Sequence, residues 1–355
     1  MPVEPLVTPI TAIGGHLTTV RGNLTYKNND KGFARLLPEF GSDGPIGGIA
    51  GLLVGDALGV PYEFHPPENL PARELIEMTP PDGFPRAHDV PDGHWSDDGA
   101  QALALLDSLL ACGTLSLTDY ADRLLRWYDE GYMAVDGHVF DCGLQTADAL
   151  CRLRDGVRPT ASGGRGEAHN GNGSVMRCLP LALWHTGSDE ELVRYAHVQS
   201  LLTHAHPRSL VCCAYLCMVG RGYLMKQDDP WDWADRRIGA IYSGWEVEQE
   251  RRVLLRELDV LRSFPKNHKP TGTGYCIDTI WSVHKAIQEA TFEDVIRTAI
   301  LFGNDTDTTA AIAGSLAGIR FQLIGMPQRW LRQLRGFEIA ESLIFRFDAA
   351  MADNH

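Results

Sequence analysis

Two runs of small residues spaced four apart constrain the fold of this chain more than any other feature. The runs are Gly47, Gly51, Gly55 and Gly59 near one end, and Ala310, Gly314 and Gly318 near the other. Positions i and i+4 share a helix face, so each run predicts a helix with a bare stripe that a second backbone can approach closely. Each glycine costs about 1 kcal/mol relative to alanine inside a helix. Close packing of these two helices at the centre of the domain is the simplest compensation.

The other long periodic segments are also helical. Alternation of period two with β-branched residues is nearly absent, so the sequence predicts an all-α protein. Residues 1–44 mix Thr, Asn, Gly and Pro with a modest apolar cluster around Phe33, Leu36 and Leu37. We therefore expect an N-terminal extension over residues 1–44 and one helical domain over residues 45–350.

Composition excludes several classes of function. A net charge of −14 disfavours broad contact with nucleic acid or an anionic membrane. The apolar segments 46–58 and 210–219 are shorter than the roughly 20 residues that a membrane span needs. The eight cysteines contain no CxxC pair, and no basic segment followed by an apolar one marks a secretory signal. These features predict a cytoplasmic protein with buried, reduced thiols.

Three acidic clusters lie where apolar segments meet predicted helix ends. They contain Asp56 and Glu63; Ser96, Asp97 and Asp98; and Asp305, Asp307 and Thr308. Each could be a helix cap, and Glu63 alone could be a solvated loop residue. A cap needs one carboxylate, however, not two adjacent ones and a hydroxyl. Three such clusters, each beside a glycine in apolar sequence, indicate buried carboxylates, which require cations.

The residue types restrict the kind of cation. Oxygen ligands without His or Cys at matching spacing favour Mg²⁺ or Mn²⁺ over Zn²⁺. Five or six such oxygens suit two ions about 3.5–4 Å apart. Within one helix Asp305 and Asp307 would point about 200° apart, so they converge only if the chain bends at the helix start. Gly303 gives the backbone that freedom.

A glycine-rich stretch, residues 162–174, could serve as a ligand loop. It lacks the Lys-Ser/Thr ending of a P-loop, and a flexible loop is the simpler interpretation. Its last residues could still present backbone N–H groups to a phosphate. His204 and His206 could line a pocket, although core or helix-terminal histidines are more common.

Taken together and in this order, the motifs resemble those of the ADP-ribosylglycohydrolase family, all-helical hydrolases that remove ADP-ribose from proteins such as dinitrogenase reductase. The resemblance runs from about residue 45 to residue 345. It covers residues 55–64, 95–99, 170–180, the region of His204, 274–275 with 278–279, 303–308, and Pro327 with Trp330. It implies a single orthogonal multi-helix bundle with a central cleft that holds two metal ions.

The resemblance also implies roles for individual residues. It places two Mg²⁺ ions, replaceable by Mn²⁺, on Glu63, Ser96, Asp97, Asp98, Asp305, Asp307 and Thr308. The family usually has Thr at the position of Ser96, so we expect altered metal affinity there rather than its loss. It places the substrate against Asn170, Gly171, Asn172, Gly173, Ser174, His204 and Glu63. Because cleavage at ribose C1″ needs proton transfer, Glu63 and Asp98 are the candidates for water activation or acid–base catalysis.

The predicted function is metal-dependent release of ADP-ribose from modified proteins, which could include reversal of toxin action. One alternative is hydrolysis of small-molecule or nucleobase ADP-ribosyl conjugates. Another is an immunity protein that blocks an ADP-ribosyltransferase toxin with residues 1–44. That segment could equally pack on its own domain.

Overall fold

Helices make up all of the regular secondary structure in the computed structural model, which describes residues 32–353; two isolated β-bridges are the exception. The α-helices are α1 (Leu37–Phe40), α2 (Gly44–Gly59), α3 (Asp97–Cys112), α4 (Leu117–Glu130), α5 (Leu144–Arg154), α6 (Leu179–Trp184), α7 (Asp189–Ser200), α8 (Pro207–Leu224), α9 (Pro230–Ser243), α10 (Glu248–Asn267), α11 (Cys276–Ala286), α12 (Phe292–Ile300), α13 (Thr306–Phe321), α14 (Gln328–Gln333) and α15 (Phe337–Asp353). Short 3-10 helices span Gly32–Leu36, Val60–Tyr62, Pro67–Asn69, Arg73–Leu75, Val135–Gly137, Pro159–Ala161 and Leu323–Gly325. The predicted all-α class is confirmed for the described residues.

The two small-residue runs form α2 and α13, and these helices pack backbone to backbone. A Cβ atom built on Gly51 would lie closer than 3.0 Å to the carbonyl oxygen of Gly314, a separation that real Cβ atoms essentially never show. A Cβ on Gly55 would meet the carbonyl oxygen of Ala310 in the same way. Both helices are buried over nearly their whole length. The predicted close packing is therefore confirmed, and it explains why glycine is needed at these positions.

This helix pair brings the acidic clusters together. The two helices run antiparallel, because Gly47 lies against Gly318 whereas Gly59 lies against Asp307. The end of α2 therefore meets the start of α13. Near that end, the Asp56 carboxylate accepts hydrogen bonds from the backbone N–H groups of Ser96 at 2.8 Å and Gly99 at 2.7 Å. Asp56 thus ties the start of α3 to the same place.

The helix α8 is a second central element. It is apolar on almost all sides and packs against α6, α7, α9, α10, α11 and α13, as expected for a helix buried in a domain core. The segment Gly44–Tyr62, which comprises α2 and the 3-10 helix after it, is long and apolar enough to cross a bilayer, with a mean hydropathy of 1.3. In the structure 89% of its window is buried inside the protein, which is typical of a core helix.

The first described residues belong to the core, although residues 1–44 are predicted as an extension. Phe33 is fully buried and packs edge-to-face on Trp95 and Phe337, with ring centroids 6.4 and 5.3 Å apart. Residues 32–40 therefore pack on the helical domain, as the sequence alternative allowed. Residues 1–31 lie outside the described residues, so the hypothesis of a toxin-blocking arm stays a prediction.

All eight cysteines are free thiols, and five of them are buried. The prediction of buried thiols is wrong for Cys112 and Cys151, which are exposed. Cys112 ends α3, and Cys151 lies on the outer face of α5, where no neighbouring element covers it.

The α2–α13 contact predicts opposite outcomes for two glycines of one helix. Gly51→Ala should lower the free energy of unfolding by about 1–3 kcal/mol or more, because the new methyl group overlaps the α13 backbone. Gly44→Ala adds a Cβ only 3.5 Å from its nearest neighbour, an ordinary contact. It should be neutral or stabilising by up to about 1 kcal/mol. Guanidinium unfolding measures both, and equal stabilities would contradict the proposed packing role.

Candidate active site

The three acidic clusters converge where α2 ends and α13 begins. One carboxylate oxygen each from Glu63, Asp305 and Asp307 lies within 4.8 Å of the others. The Thr308 hydroxyl donates to Asp98 Oδ2 at 3.3 Å, which joins the first turn of α13 to that of α3. Residues more than 200 positions apart in sequence are thus gathered into one cluster.

The chain bends sharply before α13, as predicted from Gly303. Gly303 and Asn304 have φ values of +71° and +60°. This left-handed turn leaves Asp305 outside the helix as its N-cap residue and Asp307 in the first turn. Phe64 is also left-handed, at φ +60°; its N–H donates to the Asn304 carbonyl at 2.6 Å, and the Asn304 N–H donates to the His65 carbonyl at 2.7 Å. Two strained residues therefore lock the Glu63 loop to the Asp305 loop.

The aspartates of this cluster lack basic partners in the part of the chain that the structure describes. Among residues 32–353, no Lys or Arg forms an ion pair with Asp97, Asp98, Asp305 or Asp307. Burial, followed by the charges of neighbouring carboxylates, raises the pKa of Asp97, Asp98 and Asp307 well above the usual range. Burial is also the main cause that raises the pKa of Asp305.

Glu63 and Asp56 show the same effect. Burial, and then the charges of Asp141 and Asp305, raises the pKa of Glu63 to about 10. Burial raises the pKa of Asp56 to about 7 in spite of its two backbone hydrogen bonds. Ionised carboxylates at this density require bound cations. Asp98 Oδ1 is moreover buried without any hydrogen-bond partner, so the donor set fits hard divalent cations.

Two residues at the site are missed by the sequence reasoning. His88 Nε2 lies 2.6 Å from Glu63 Oε2, and Asp141 offers an oxygen within 4.8 Å of ligand atoms of both. His88 lies in an irregular segment between α2 and α3, where no periodicity could have marked it. Asp141 lies two residues before Gly143 at the start of α5, but it stands alone there, without the second carboxylate that marks the other clusters.

A cleft of about 570 Å³ opens on the cluster, within the size range of small-ligand sites. Its lining includes Glu63, Asp97, Asp305, Thr308, Asp141, Gly171, Asn172, Gly173 and His204. Asn172 Nδ2 donates to Asp305 Oδ2 at 2.7 Å, which connects the glycine-rich loop to the carboxylates. Among the described residues, the N–H groups of Gly173 and Ser174 donate to no acceptor. The loop is thus held in place and has backbone donors to spare.

Other predicted site residues lie behind the cleft rather than in its lining. The Ser96 side chain caps α3 and contacts Asp98, and the Ser174 hydroxyl points to Ser200 and Cys213. The Asn170 side chain bonds the Glu167 carbonyl and the Ser209 hydroxyl. Asp98 and Asp307 are also absent from the lining.

The two histidines differ in position. His206 has the helix-terminal role that the sequence left open, because its side chain caps α8. His204 is buried, yet its ring edge lies against Gly171 and Gly173 in the cleft. Burial, with a further contribution from Arg177, lowers the pKa of His204 to about 3, so this imidazole is neutral.

A hollow larger than this cleft does not contain this chemistry. It measures about 780 Å³ and lies at the opposite end of the α2–α13 pair, near Gly44 and Arg320. Its charged residues include Lys226, Asp228 and Asp229, which form no carboxylate cluster comparable to the one described above. The convergence of side chains, rather than cavity size, therefore locates the site.

The fold agrees with a solved structure titled "ADP-ribosylglycohydrolase-related protein complex", with a TM-score of 0.65 and 30% identity over 87% of this chain and 98% of that chain. Fold and cleft together define an all-helical hydrolase of ADP-ribosyl glycosidic bonds. The ADP-ribosylglycohydrolase family profile matches residues 44–354, and the chain belongs to this family. The resemblance inferred from the motifs is confirmed.

Named relatives extend over most of the chain. ADP-ribosylarginine hydrolase Tri1 of Serratia proteamaculans is 29% identical, covering 87% of this chain and 81% of that protein. ADP-ribosyl-(dinitrogen reductase) glycohydrolase of Rhodospirillum rubrum is 29% identical, and the match covers 87% of this chain and 96% of that protein. ADP-ribosylhydrolase ARH3 of Homo sapiens is 27% identical, and the match covers 88% of this chain and 93% of that protein.

The electrostatics of the cluster predict an unusual stability signature. A carboxyl whose pKa is raised by folding destabilises the native state at pH values above its unfolded pKa. Asp307→Asn should therefore raise the Tm of the chelator-treated protein at neutral pH, by about 2–4 °C for each kcal/mol gained. Mg²⁺ should raise the Tm of the wild type, since about 2.7 kcal/mol is gained at a concentration 100 times Kd, and should do so much less in the variant.

Asp107 provides the matched control. It is also buried, but hydrogen bonds from Tyr132 and Arg346 and the charge of Arg123 outweigh the effect of burial and lower its pKa. Asp107→Asn should therefore lower the Tm in the absence of Mg²⁺ and leave the rise in Tm on adding Mg²⁺ unchanged. If both variants shifted the Tm in the same direction, the account of an uncompensated cluster would be wrong.

Proposed function

We propose that this chain is a Mg²⁺-dependent hydrolase that removes ADP-ribose from modified proteins by cleaving the glycosidic bond at ribose C1″. One observation carries the proposal. Carboxylates without a Lys or Arg counter-ion among the described residues line the same cleft as a glycine-rich loop that has spare N–H groups. The carboxylates are suited to binding cations that hold a diol, and the N–H groups of the loop are suited to binding phosphate. An acidic protein can thereby hold a diphosphate ligand without a basic patch.

The proposed metal ligands come from the acidic clusters. They are Glu63, Ser96, Asp97, Asp98, Asp305, Asp307 and Thr308, and they would hold two Mg²⁺ ions or Mn²⁺ in their place. When bound, such ions polarise hydroxyl groups and lower the pKa of a coordinated water. Asn172 orients Asp305 through its 2.7 Å hydrogen bond, and Thr308 and Ser96 both contact Asp98 Oδ2.

Glu63 is the carboxyl best placed for proton transfer. It lines the cleft, and its Oε2 lies 2.6 Å from His88 Nε2, with which it can exchange a proton. A carboxyl in this position can protonate the leaving atom as the bond at C1″ breaks. Asp98, the other predicted candidate, is only 1% exposed and lies behind the lining. We therefore assign proton transfer to Glu63 and a ligand role to Asp98.

Two exposed residues at the rim of the cleft, Phe64 and Leu144, indicate that the ADP-ribose is removed from a protein. Phe64 and Leu144 line the cleft and are 64% and 84% exposed, two of only seven large hydrophobic side chains exposed among the described residues. Exposed apolar side chains around a polar site are typical of surfaces that contact another macromolecule. Modified arginine is the first linkage to test, because relatives from Serratia proteamaculans and Pseudomonas putida are named ADP-ribosylarginine hydrolases.

Removal of single metal ligands should abolish activity. Asp97→Ala and Asp307→Ala are each expected to lower kcat/KM by about 100-fold or more, because changing even residues behind metal ligands costs about 10–100-fold. Release of ADP-ribose from an ADP-ribosylated protein, with Mg²⁺ and with chelator, measures this. Asp228→Ala, an exposed aspartate far from the cleft, is the control and should retain activity. Full activity in both ligand variants would contradict the dinuclear site.

The rim distinguishes protein substrates from small ones. Phe64→Ala and Leu144→Ser should raise KM for an ADP-ribosylated protein by about tenfold, through the loss of about 1.4 kcal/mol of apolar contact. KM for free ADP-ribosylarginine should change less. Ile324→Ser, at an exposed apolar residue outside the cleft, should affect neither substrate. Equal changes for both substrates would instead favour hydrolysis of small ADP-ribosyl conjugates.

A further inference from the structure

Arg177 is a completely buried cation directly behind the cleft. Its exposure is 0%, and among residues 32–353 no carboxylate forms an ion pair with it. Its guanidinium lies over the Tyr120 ring, 5.5 Å from the centroid. Burial of an arginine without a counter-ion is costly, so its place in the core requires a compensating role.

Each of its nitrogens donates to a neutral side chain. Nη1 donates to Gln101 Oε1 at 2.6 Å, Nη2 to Thr203 Oγ1 at 2.8 Å, and Nε to Gln199 Oε1 at 3.3 Å. The planar guanidinium therefore has a defined orientation, which a lysine ammonium could not reproduce.

Each of these three partners in turn contacts a different part of the site. Gln101 Nε2 donates to Asp97 Oδ2 at 3.1 Å, Thr203 Oγ1 lies 2.8 Å from His204 Nδ1, and Gln199 Nε2 donates to the Ser174 carbonyl at 3.0 Å. One guanidinium is thus a single side chain away from the carboxylate cluster, the cleft histidine and the glycine-rich loop.

The direction of these hydrogen bonds follows from the chemistry of arginine. A guanidinium only donates, so the Gln101 amide must turn its oxygen to Arg177 and its NH₂ to Asp97. A reversed amide would place N–H against N–H. In the same way the Thr203 oxygen accepts from Arg177, and among the described residues the acceptor near its hydroxyl hydrogen is His204 Nδ1. With the His204 proton on Nε2 every one of these polar atoms has a partner, whereas a proton on Nδ1 would leave the Thr203 hydroxyl hydrogen without an acceptor among the described residues.

This proton faces the cleft. A Cβ built on Gly171 would lie 3.4 Å from His204 Nε2, and one on Gly173 would lie 2.9 Å from Cε1. The Nε2–H group therefore borders the loop in which the N–H groups of Gly173 and Ser174 are unused. A neutral imidazole held in this tautomer is a hydrogen-bond donor, and among the described residues His204 Nε2 forms no hydrogen bond that a ligand would have to displace.

We propose that Arg177 is a positioning residue, which orients the Asp97 carboxylate through Gln101 and holds the His204 proton on Nε2 through Thr203. The predicted ligand of that proton is a phosphate oxygen of the substrate, and this part of the inference rests on the proposed function. The orientation of Asp97 and the tautomer of His204 are properties of the free protein.

The link from Arg177 through Thr203 to His204 is tested with Thr203→Val, which keeps the shape of the side chain and removes the hydroxyl. In protein labelled with ¹⁵N-histidine, the ring nitrogen shifts should show His204 protonated on Nε2 in the wild type and on a mixture of both nitrogens in the variant. The dissociation constant for ADP-ribose should rise about tenfold, the effect of about one lost hydrogen bond, with little change in kcat. Thr203→Ser, which keeps the hydroxyl, should restore the Nε2–H signal.

The link from Arg177 through Gln101 to Asp97 is tested with Gln101→Met, which introduces a side chain of similar length without an amide. Its Mg²⁺ affinity, measured by calorimetry without substrate, should fall about 10-fold or more. The His204 tautomer should stay on Nε2. Arg177→Lys should show both the mixed His204 tautomer and the weaker Mg²⁺ binding. If that variant does not fold, Thr203→Val and Gln101→Met still decide the question.

Two results would overturn the proposal. One is a wild-type His204 protonated on Nδ1. The other is an unchanged tautomer in Thr203→Val together with unchanged Mg²⁺ affinity in Gln101→Met, which would make Arg177 a packing residue only. Both readouts need no substrate, so they remain decisive if no ADP-ribosyl bond is cleaved. That last outcome would contradict the proposed function alone.

Discussion

The backbone contact between α2 and α13 is the constraint on which the rest of the structure depends. Because Gly51 and Gly314 have no side chains, the two helices approach until carbonyl oxygens occupy the space of missing Cβ atoms. The same contact places Gly59 against Asp307. Any bulk along this stripe would separate the loop after α2 from the start of α13, and with it Glu63 from Asp305 and Asp307. Core packing and site assembly are therefore the same interaction.

The site concentrates features that a stable core would avoid. Asp97, Asp98 and Asp307 are buried near one another, and Phe64 and Asn304 adopt left-handed backbone conformations. Each feature costs free energy in the free protein. The surrounding helices supply the stability that tolerates these costs. The unfavourable electrostatics are what prepare the cleft for cations, since a bound ion removes the repulsion that folding creates.

Much of the site could be predicted because its residues lie in short clusters beside glycines. Gly303 indicated the bend that separates Asp305 from α13, and the structure shows that bend. His88, Asp141 and Arg177 could not be found in the same way. Each contacts the site from a segment whose local pattern has another explanation: an irregular loop for His88, a helix start for Asp141 and a run of core residues for Arg177. Their roles come from contacts between segments distant in sequence.

The sequence by itself determined the helical class, the two glycine stripes and the identity of most carboxylates, because periodicity, backbone freedom and charge are local properties. The tertiary structure alone decided which groups face the cleft. It placed Glu63 and Asp97 in the lining but Asp98 and Asp307 behind it, and it turned the side chains of Ser96 and Ser174 toward Asp98 and Ser200. It also fixed the orientation of the Gln101 amide. Such assignments depend on the direction of side chains and hydrogen bonds across segments, which no linear spacing records.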